Sequence, residues 1–272
     1  MKSGLAPAQW PRYQRAMTIA NVICIKWGTL FGPEYVNRLY AGARRHLSAD
    51  VRFFCMTEDR TDFDPRIEVL DLPVEPFHDK MNDALAVANR QGAMRKVSLF
   101  KPGLIPDLDG PLLGFDLDVT ITGSLDDIWN HAPGKVAMRA DWVEERRGRK
   151  TGHGSVFRFD PALHDWLYDT LAANPTAEVE KARGSEQRYT STLAQEKNQF
   201  AYLPPEQVVS FKHDCLDLPP LNYLRMARKP ADARVVCFHG RPKMQEAIDG
   251  YSGSWLRYCR PTPWLSDHWI DS

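Results

Sequence analysis

Residues 18–57 read TIANVICIKWGTLFGPEYVNRLYAGARRHLSADVRFFCMT. The run 18–27 is apolar and rich in β-branched residues, which is a strand pattern, and Gly28, Gly32 and Pro33 end it. Over 33–46, Tyr35, Val36, Leu39, Tyr40 and Ala43 recur on one side at helical spacing, with Pro33 suited to the first turn. A second strand follows at 51–57 and a short third at 67–72. Strand, helix, strand at this spacing is a crossover unit, and a crossover makes its strands parallel.

The same alternation continues outward. Residues 79–100 are helical in pieces, ending in Arg95-Lys96-Val97-Ser98-Leu99-Phe100. Residues 111–119 (PLLGFDLDV) read as an apolar strand that ends in acid, and further strands are expected at 135–140, 155–160 and 234–239. Helices are expected at 161–173 and 185–195. The expectation is one α/β domain over 18–250: a mainly parallel, Rossmann-like sheet with helices on both faces. Residues 1–17 form an extension, and 251–272 form an aromatic tail packed on the domain, carrying Trp255, Tyr258, Trp264 and Trp269.

Lys and Arg number 35, as do Asp and Glu, so the formal net charge is zero and the long-range field of a general nucleic-acid binder is excluded. The 272 residues can bury about three quarters of their extended surface, so the fold needs no staples. Cys24, Cys55, Cys215, Cys237 and Cys259 are odd in number and contain no CxxC, which points to reduced core thiols. Residues 1–15 hold no apolar leader segment, and no stretch approaches 18 apolar residues. These features predict a cytoplasmic protein, working on any membrane-bound substrate from the inner face of the membrane. Residues 146–150 (RRGRK), the one basic cluster, read as a mobile surface loop.

The sharpest chemical signal is Phe115-Asp116-Leu117-Asp118-Val119-Thr120. On a strand, residues i and i+2 point the same way. Two carboxylates so placed at the edge where α/β sheets take their ligands can share one hard divalent cation, Mn²⁺ or Mg²⁺, whose shell substrate phosphates complete. The alternative is that one aspartate serves a turn or a helix cap.

Two families use this string. FDLDVTI resembles the nucleophile motif of the haloacid-dehalogenase-like phosphohydrolases, in which Asp116 would attack phosphorus. That motif opens its domain, whereas here 115 residues precede Asp116, and Asp214-Cys215-Leu216-Asp217 is a poor substitute for the later acidic pair. More of the chain resembles the nucleotide-sugar glycosyltransferases with the GT-A fold, in particular glycosyltransferase family 8 and its bacterial relatives. Lys96-Val97-Ser98-Leu99-Phe100 resembles the lysine-bearing helix of that family, and Gly123-Ser124-Leu125-Asp126-Asp127-Ile128-Trp129 its GSLDELW-like segment. Ser155-Val156-Phe157-Arg158-Phe159 resembles its NSGVM-type strand, and Ser185-Glu186-Gln187-Arg188 its DQ-bearing helix start. Phe238-His239-Gly240-Arg241-Pro242-Lys243 resembles its late HxxGxxKPW motif in compressed form. The ordered set covers roughly residues 18–247. It departs from the pattern at Glu186, where the family has Asp, and at His153-Gly154, where the acceptor strand has Asn.

The resemblance implies a metal-dependent, retaining sugar transfer from a nucleoside-diphosphate sugar to a glycan or lipid-linked acceptor. It implies Asp116, Asp118 and His239 as metal ligands, Lys96, Arg241 and Lys243 on the donor, and Glu186 and Gln187 at the transferred sugar. Each has a plainer reading. His239 at a buried strand end suits a core histidine, Lys96 a solvated helix face, and Glu186 and Gln187 the first turn after a Ser185 cap. Trp27 could stack on a nucleobase, but the end of an apolar strand predicts a core tryptophan. A binding protein that keeps the fold without turnover is the third reading.

Overall fold

The computed structural model describes residues 19–271, so the expected extension over 1–17 lies outside the described residues. Ten strands are seen among them: β1 Ile19–Lys26, β2 Asp50–Thr57, β3 Ile67–Asp71, β4 Leu112–Phe115, β5 Val119–Ile121, β6 Val136–Ala140, β7 Gly152–Phe159, β8 Phe200–Tyr202, β9 Val208–Ser210 and β10 Val235–Cys237. Seven form one sheet in the order β3-β2-β1-β4-β7-β6-β8. The first four run parallel, β7 is antiparallel to both neighbours, and β8 is parallel to β6. The chain is α/β with a mostly parallel central sheet.

The central strands are apolar on both faces because both faces are covered. From β1, Ala20, Val22 and Cys24 pack with Val36, Leu39, Tyr40 and Ala43 of helix Pro33–His46. Ile23 points the other way, into a cluster with Val97, Leu99 and Phe100 and with Leu167 and Leu171 of helix Trp166–Ala173. Phe53 and Phe54 of β2 divide between the same two clusters. All five cysteines are buried free thiols.

The structure revises the expected strand over 111–119. The chain leaves the large sheet at Phe115, and β5 belongs to a second, three-stranded sheet in the order β5-β10-β9. The strand expected at 234–239 is the centre of that smaller sheet, antiparallel to β5 and parallel to β9. Asp116-Leu117-Asp118 therefore bridges two sheets instead of ending one strand. Leu117 is its anchor, buried in the cluster that also holds Val22, Phe115 and Val119. The helix expected at 161–173 is divided at Asp165 into Pro161–His164 and Trp166–Ala173.

At the C-terminal end, Leu265 is fully buried, and the Trp269 ring lies 5.2 Å from that of Tyr35 and 4.1 Å from the Arg38 guanidinium. The basic cluster at 146–150 is exposed, and Arg147 and Arg149 pair with Glu144.

Two positions make the packing testable. Gly114 in β4 faces Phe157 of β7, its register partner; a Cβ there would lie 2.3 Å from the Phe157 ring. That ring stacks on Phe159 and supports the Lys96 ammonium at 5.5 Å. Gly114→Ala is expected to overpack the sheet by about 1–3 kcal/mol, read as a lower midpoint in urea unfolding. His164 is fully buried, accepts from the Asp160 amide at Nδ1 (3.0 Å), and is pushed down to about 4 by burial. Its folded value lies below the unfolded value of roughly 6.5, so the stability it contributes is complete above pH ~6.5 and is lost as pH falls toward the folded value. The expected slope is about 1.4 kcal/mol per pH unit between those limits, and His164→Asn should flatten it in unfolding free energies measured from pH 7 to 5.

Candidate active site

The site forms where the Asp116–Asp118 bridge meets three other segments. The first is the 3₁₀ turn Arg95–Phe100, in which Val97, Leu99 and Phe100 are buried. That turn presents Lys96, whose Nζ lies 2.5 Å from Asp116 Oδ1 and donates to the Gly154 carbonyl at 2.9 Å. Burial works against the Lys96 charge, but the carboxylates of Asp116 and then Glu186 outweigh it and hold the ammonium well above its ordinary pKa.

The second segment is the start of β7. Ser155 donates its hydroxyl to Asp116 Oδ2 at 3.1 Å, and its carbonyl accepts from the Asp116 amide at 3.0 Å. Gly154 leaves the floor open: a Cβ there would lie 3.3 Å from Lys96 Nζ and 3.7 Å from Glu186 Oε1. The third segment is helix Glu186–Glu196, capped by Ser185, which accepts from the Arg188 amide. Glu186 is held beside Lys96 and Asp116; burial raises its carboxyl pKa, Lys96 opposes that and Asp116 adds to it. Gln187 is a bridge: its Oε1 accepts from the Gly154 amide at 3.1 Å and its Nε2 donates to Asp141 Oδ2 at 3.0 Å.

The late cluster closes the other side. The Phe238 amide donates to the Asp118 carbonyl at 2.8 Å, and Lys243 Nζ lies 2.6 Å from Asp118 Oδ2. Lys243 precedes helix Met244–Asp249, and its own amide donates to Glu246 at 2.8 Å. Burial raises the Asp118 carboxyl pKa, the Asp116 charge raises it further, and Lys243 opposes both. Arg241 is exposed and pairs with Glu246.

His239 lies on an aromatic wall. Its ring stacks on Trp142 at 4.9 Å and 17°, with His153 at 4.8 Å and His213 at 5.6 Å. Its Nε2 shares a hydrogen bond with Ser210 Oγ at 2.9 Å, and its carbonyl accepts from Lys212 at 2.9 Å. Burial, then His153 and the nearby cations, push it down to about 2. Burial likewise takes His153 down to about 4, against the pull of Asp116 and Asp141. Both rings are neutral at ordinary pH. Among the described residues, no group of three His, Cys, Asp or Glu could by itself hold a metal ion.

Other expectations change. Trp27 is not a core residue: it is 47% exposed, with the Arg95 guanidinium 5.1 Å from its ring and Gly92 packed so closely that a Cβ would lie 2.7 Å away. Asp214 accepts from Trp142 Nε1 at 2.9 Å and from the Ser210 amide at 2.7 Å, while Asp217 pairs with Arg225 and Arg228. Neither forms the second acidic pair that a phosphohydrolase needs. Asp141, Trp142 and Ser210 escaped the sequence reading. Only Asp141 carried a local signal, as the cap that accepts from the amides of Val143 and Glu144.

No protein-family model matches the chain, and no curated protein sequence does. Solved structures do. The galactosyltransferase LgtC, in complex with donor and acceptor sugar analogs, is similar over 82% of this chain and 88% of its own, with a TM-score of 0.54 at 15% identity. Mouse xyloside xylosyltransferase 1 in its apo form matches 81% of this chain and 98% of its own, with a TM-score of 0.50 at 10% identity. The glycosyltransferase GlyE of Streptococcus pneumoniae TIGR4 matches 93% of this chain and 61% of its own, with a TM-score of 0.55 at 11% identity. The chain has the GT-A-type fold of these glycosyltransferases.

The Gln187 bridge yields a direct test. Gln187→Leu leaves the Gly154 amide without its acceptor and Asp141 Oδ2 without the Gln187 donor, while Asp141 Oδ1 keeps the amides of Val143 and Glu144. The expected loss is about 1–3 kcal/mol of unfolding free energy, whereas an amide serving only a ligand would leave the melting temperature unchanged.

Proposed function

We propose that this protein is a glycosyltransferase that moves a sugar from a nucleoside-diphosphate sugar to a hydroxyl of a glycan or lipid-linked acceptor. One observation carries the reading. Within a GT-A-type fold, the Asp116–Asp118 bridge is tied to the segment after β10 by the Phe238–Asp118 backbone bond and the Lys243–Asp118 ion pair, with Lys96 and Glu186 beside Asp116 and Gln187 on the Gly154 amide.

The donor set suits a hard divalent cation, Mn²⁺ or Mg²⁺. Asp116 presses on the Asp118 carboxyl, and a cation touching both would relieve that repulsion. Two carboxylates would not fill its shell, and the donor's phosphates would supply further oxygen ligands. His239 is not brought to this pair: its Nε2 is engaged by Ser210 Oγ and its ring is stacked on Trp142, and among the described residues no third His, Cys, Asp or Glu completes a metal site with Asp116 and Asp118. When bound, the cation offsets the negative charge that develops on the departing diphosphate.

The chain's own residues do the rest. Lys243 offers a charge-assisted contact to the same diphosphate, and Arg241 stands on the same turn. Lys96 fixes Asp116, and Gln187 fixes the backbone at Gly154, so the floor under the sugar is rigid. Glu186 sets a carboxyl beside that floor, close to where positive charge gathers as the glycosidic bond breaks. The family resemblance implies retention of configuration, with the acceptor hydroxyl attacking on the face that the phosphate leaves.

Calorimetry tests the reading. Mn²⁺ should bind tightly with UDP or GDP present and weakly alone. Asp118→Asn should abolish that coupling, and Lys243→Met should weaken nucleotide affinity by roughly tenfold to a hundredfold, the worth of one charge-assisted contact of about 1.5–3 kcal/mol. Equal, tight Mn²⁺ binding with and without nucleotide would sink the shared site. Slow hydrolysis of the donor sugar separates a transferase from a binding protein.

A further inference from the structure

A second surface next to this cleft has a different chemistry. Leu218, Tyr223, Leu224, Met226, Trp255 and Leu256 are all exposed, five of them by more than half: Leu218 77%, Leu224 68%, Trp255 65%, Met226 54% and Leu256 53%. They come from two stretches, 216–229 and 254–260, that are bound to each other. Asn222 is buried between them and donates to the carbonyls of Trp255 and Tyr258, both at 3.1 Å. The rings of Tyr223 and Tyr258 stack at 4.2 Å and 7°, and Arg260 donates to the Leu224 carbonyl at 3.1 Å. The apolar side chains thus belong to one built surface.

The charge on this surface is one-sided. In a chain of zero net charge, the two stretches hold Arg225, Arg228, Lys229, Arg257 and Arg260 against a single carboxylate, Asp217. Asp217 is already engaged by Arg225 and Arg228. Exposed aliphatic side chains flanked by Trp, Tyr and Arg match the layer where headgroups meet acyl chains: the apolar tips enter, the aromatic rings sit at the boundary and the guanidinium groups meet anionic phosphate. A glycan would want carboxylates and amides around a flat ring, and a nucleic acid would not want Leu and Met at the centre of its contact. Among the described residues no helix is long and apolar enough to cross a membrane, so contact through this face would be peripheral.

We propose that this face docks the protein on an anionic lipid surface. The face adjoins the donor cleft: a Cβ on Gly240 would lie 3.9 Å from the Arg257 guanidinium and 3.5 Å from Lys212 Nζ. Docking there brings the cleft to the headgroup layer, which selects a lipid-linked acceptor over a free glycan. That last step rests on the glycosyl-transfer reading; the docking does not.

Co-sedimentation with vesicles tests it. One set contains equal parts phosphatidylglycerol and phosphatidylcholine, the other phosphatidylcholine alone. The full chain should sediment with the first and much less with the second, and added salt should release it. Leu224→Gln combined with Trp255→Gln should weaken that partition by at least about tenfold. Both side chains are exposed, so the melting temperature and its shift with nucleotide and Mn²⁺ should stay as in the parent. Absence of vesicle binding, or equal binding to both sets that the double variant leaves intact, overturns the proposal. So does self-association, seen by sedimentation equilibrium, that the double variant abolishes, because a second copy would then own the face. Vesicle binding without any nucleotide response supports the docking and overturns the acceptor assignment, which keeps the two readings apart.

Discussion

The three residues Asp116-Leu117-Asp118 join two sheets, and the site depends on that junction. Leu117 is driven into the core beside Val22 and Val119, so its two neighbours are left at the surface of the seam. The backbone of Asp118 takes the Phe238 amide, and its carboxylate takes Lys243, a residue 125 positions later in the chain. A single apolar side chain and a single backbone bond thereby bring together groups that no local preference could align. The functional groups follow from a packing decision: were Leu117 to turn outward, the carboxylates would turn inward without partners, at a cost of several kcal/mol each.

Around the seam, burial and charge are in balance. Lys96 and Lys243 each hold one aspartate, at 2.5 and 2.6 Å, so neither carboxylate is buried alone. Glu186 adds a third acid, whose carboxyl pKa burial raises, with Lys96 opposing the rise and Asp116 adding to it. The histidine wall adds nothing to either side, because burial keeps His153 and His239 neutral. A diphosphate and a divalent cation entering together would change the total charge little while trading partners, which is easier in a dry site than admitting either alone. The Trp142 stack on His239 keeps the wall stiff.

Much of this was legible in the sequence, and the parts that were not share a cause. Helix Pro33–His46 and strands β1 to β3 were readable almost to the residue, since each repeats an apolar pattern over enough positions to fix its period. Strands β8 and β9 have three residues each, too few for any period to show. The division of 111–119 between two sheets was hidden because LLGF and VTI are equally good strands; only the partner of Val119, which is Cys237, tells them apart. The DxD string and the late His-Gly-Arg-Pro-Lys run were visible as residue types in order. Their meeting through Phe238 and Asp118 is a tertiary fact. Trp27 was misplaced for a related reason: an apolar strand predicts burial up to its end, but β1 stops at Lys26, whose ammonium is buried on Asp59, and the next residue has already left the sheet. Ser210 was silent and Asp141 signalled no more than a helix cap, because a polar residue near a turn has many uses and sequence does not show which side chain it will meet.

Zero net charge hid an uneven distribution. In the cleft, opposite charges sit within hydrogen-bonding distance, and their fields cancel a short way into solvent. Across stretches 216–229 and 254–260 the cations stand almost without acids, and apolar side chains lie between them. The first arrangement selects a ligand at close range by geometry; the second attracts an anionic surface from a distance and then gains from apolar contact. Arg257 belongs to the second and approaches Gly240 of the first. In the reading proposed above, a water-soluble donor and a lipid-linked acceptor would meet where these two kinds of surface lie side by side. Singly exposed apolar residues such as Val74 and Val87 need no such account; Leu218, Leu224 and Trp255 differ in standing together among cations.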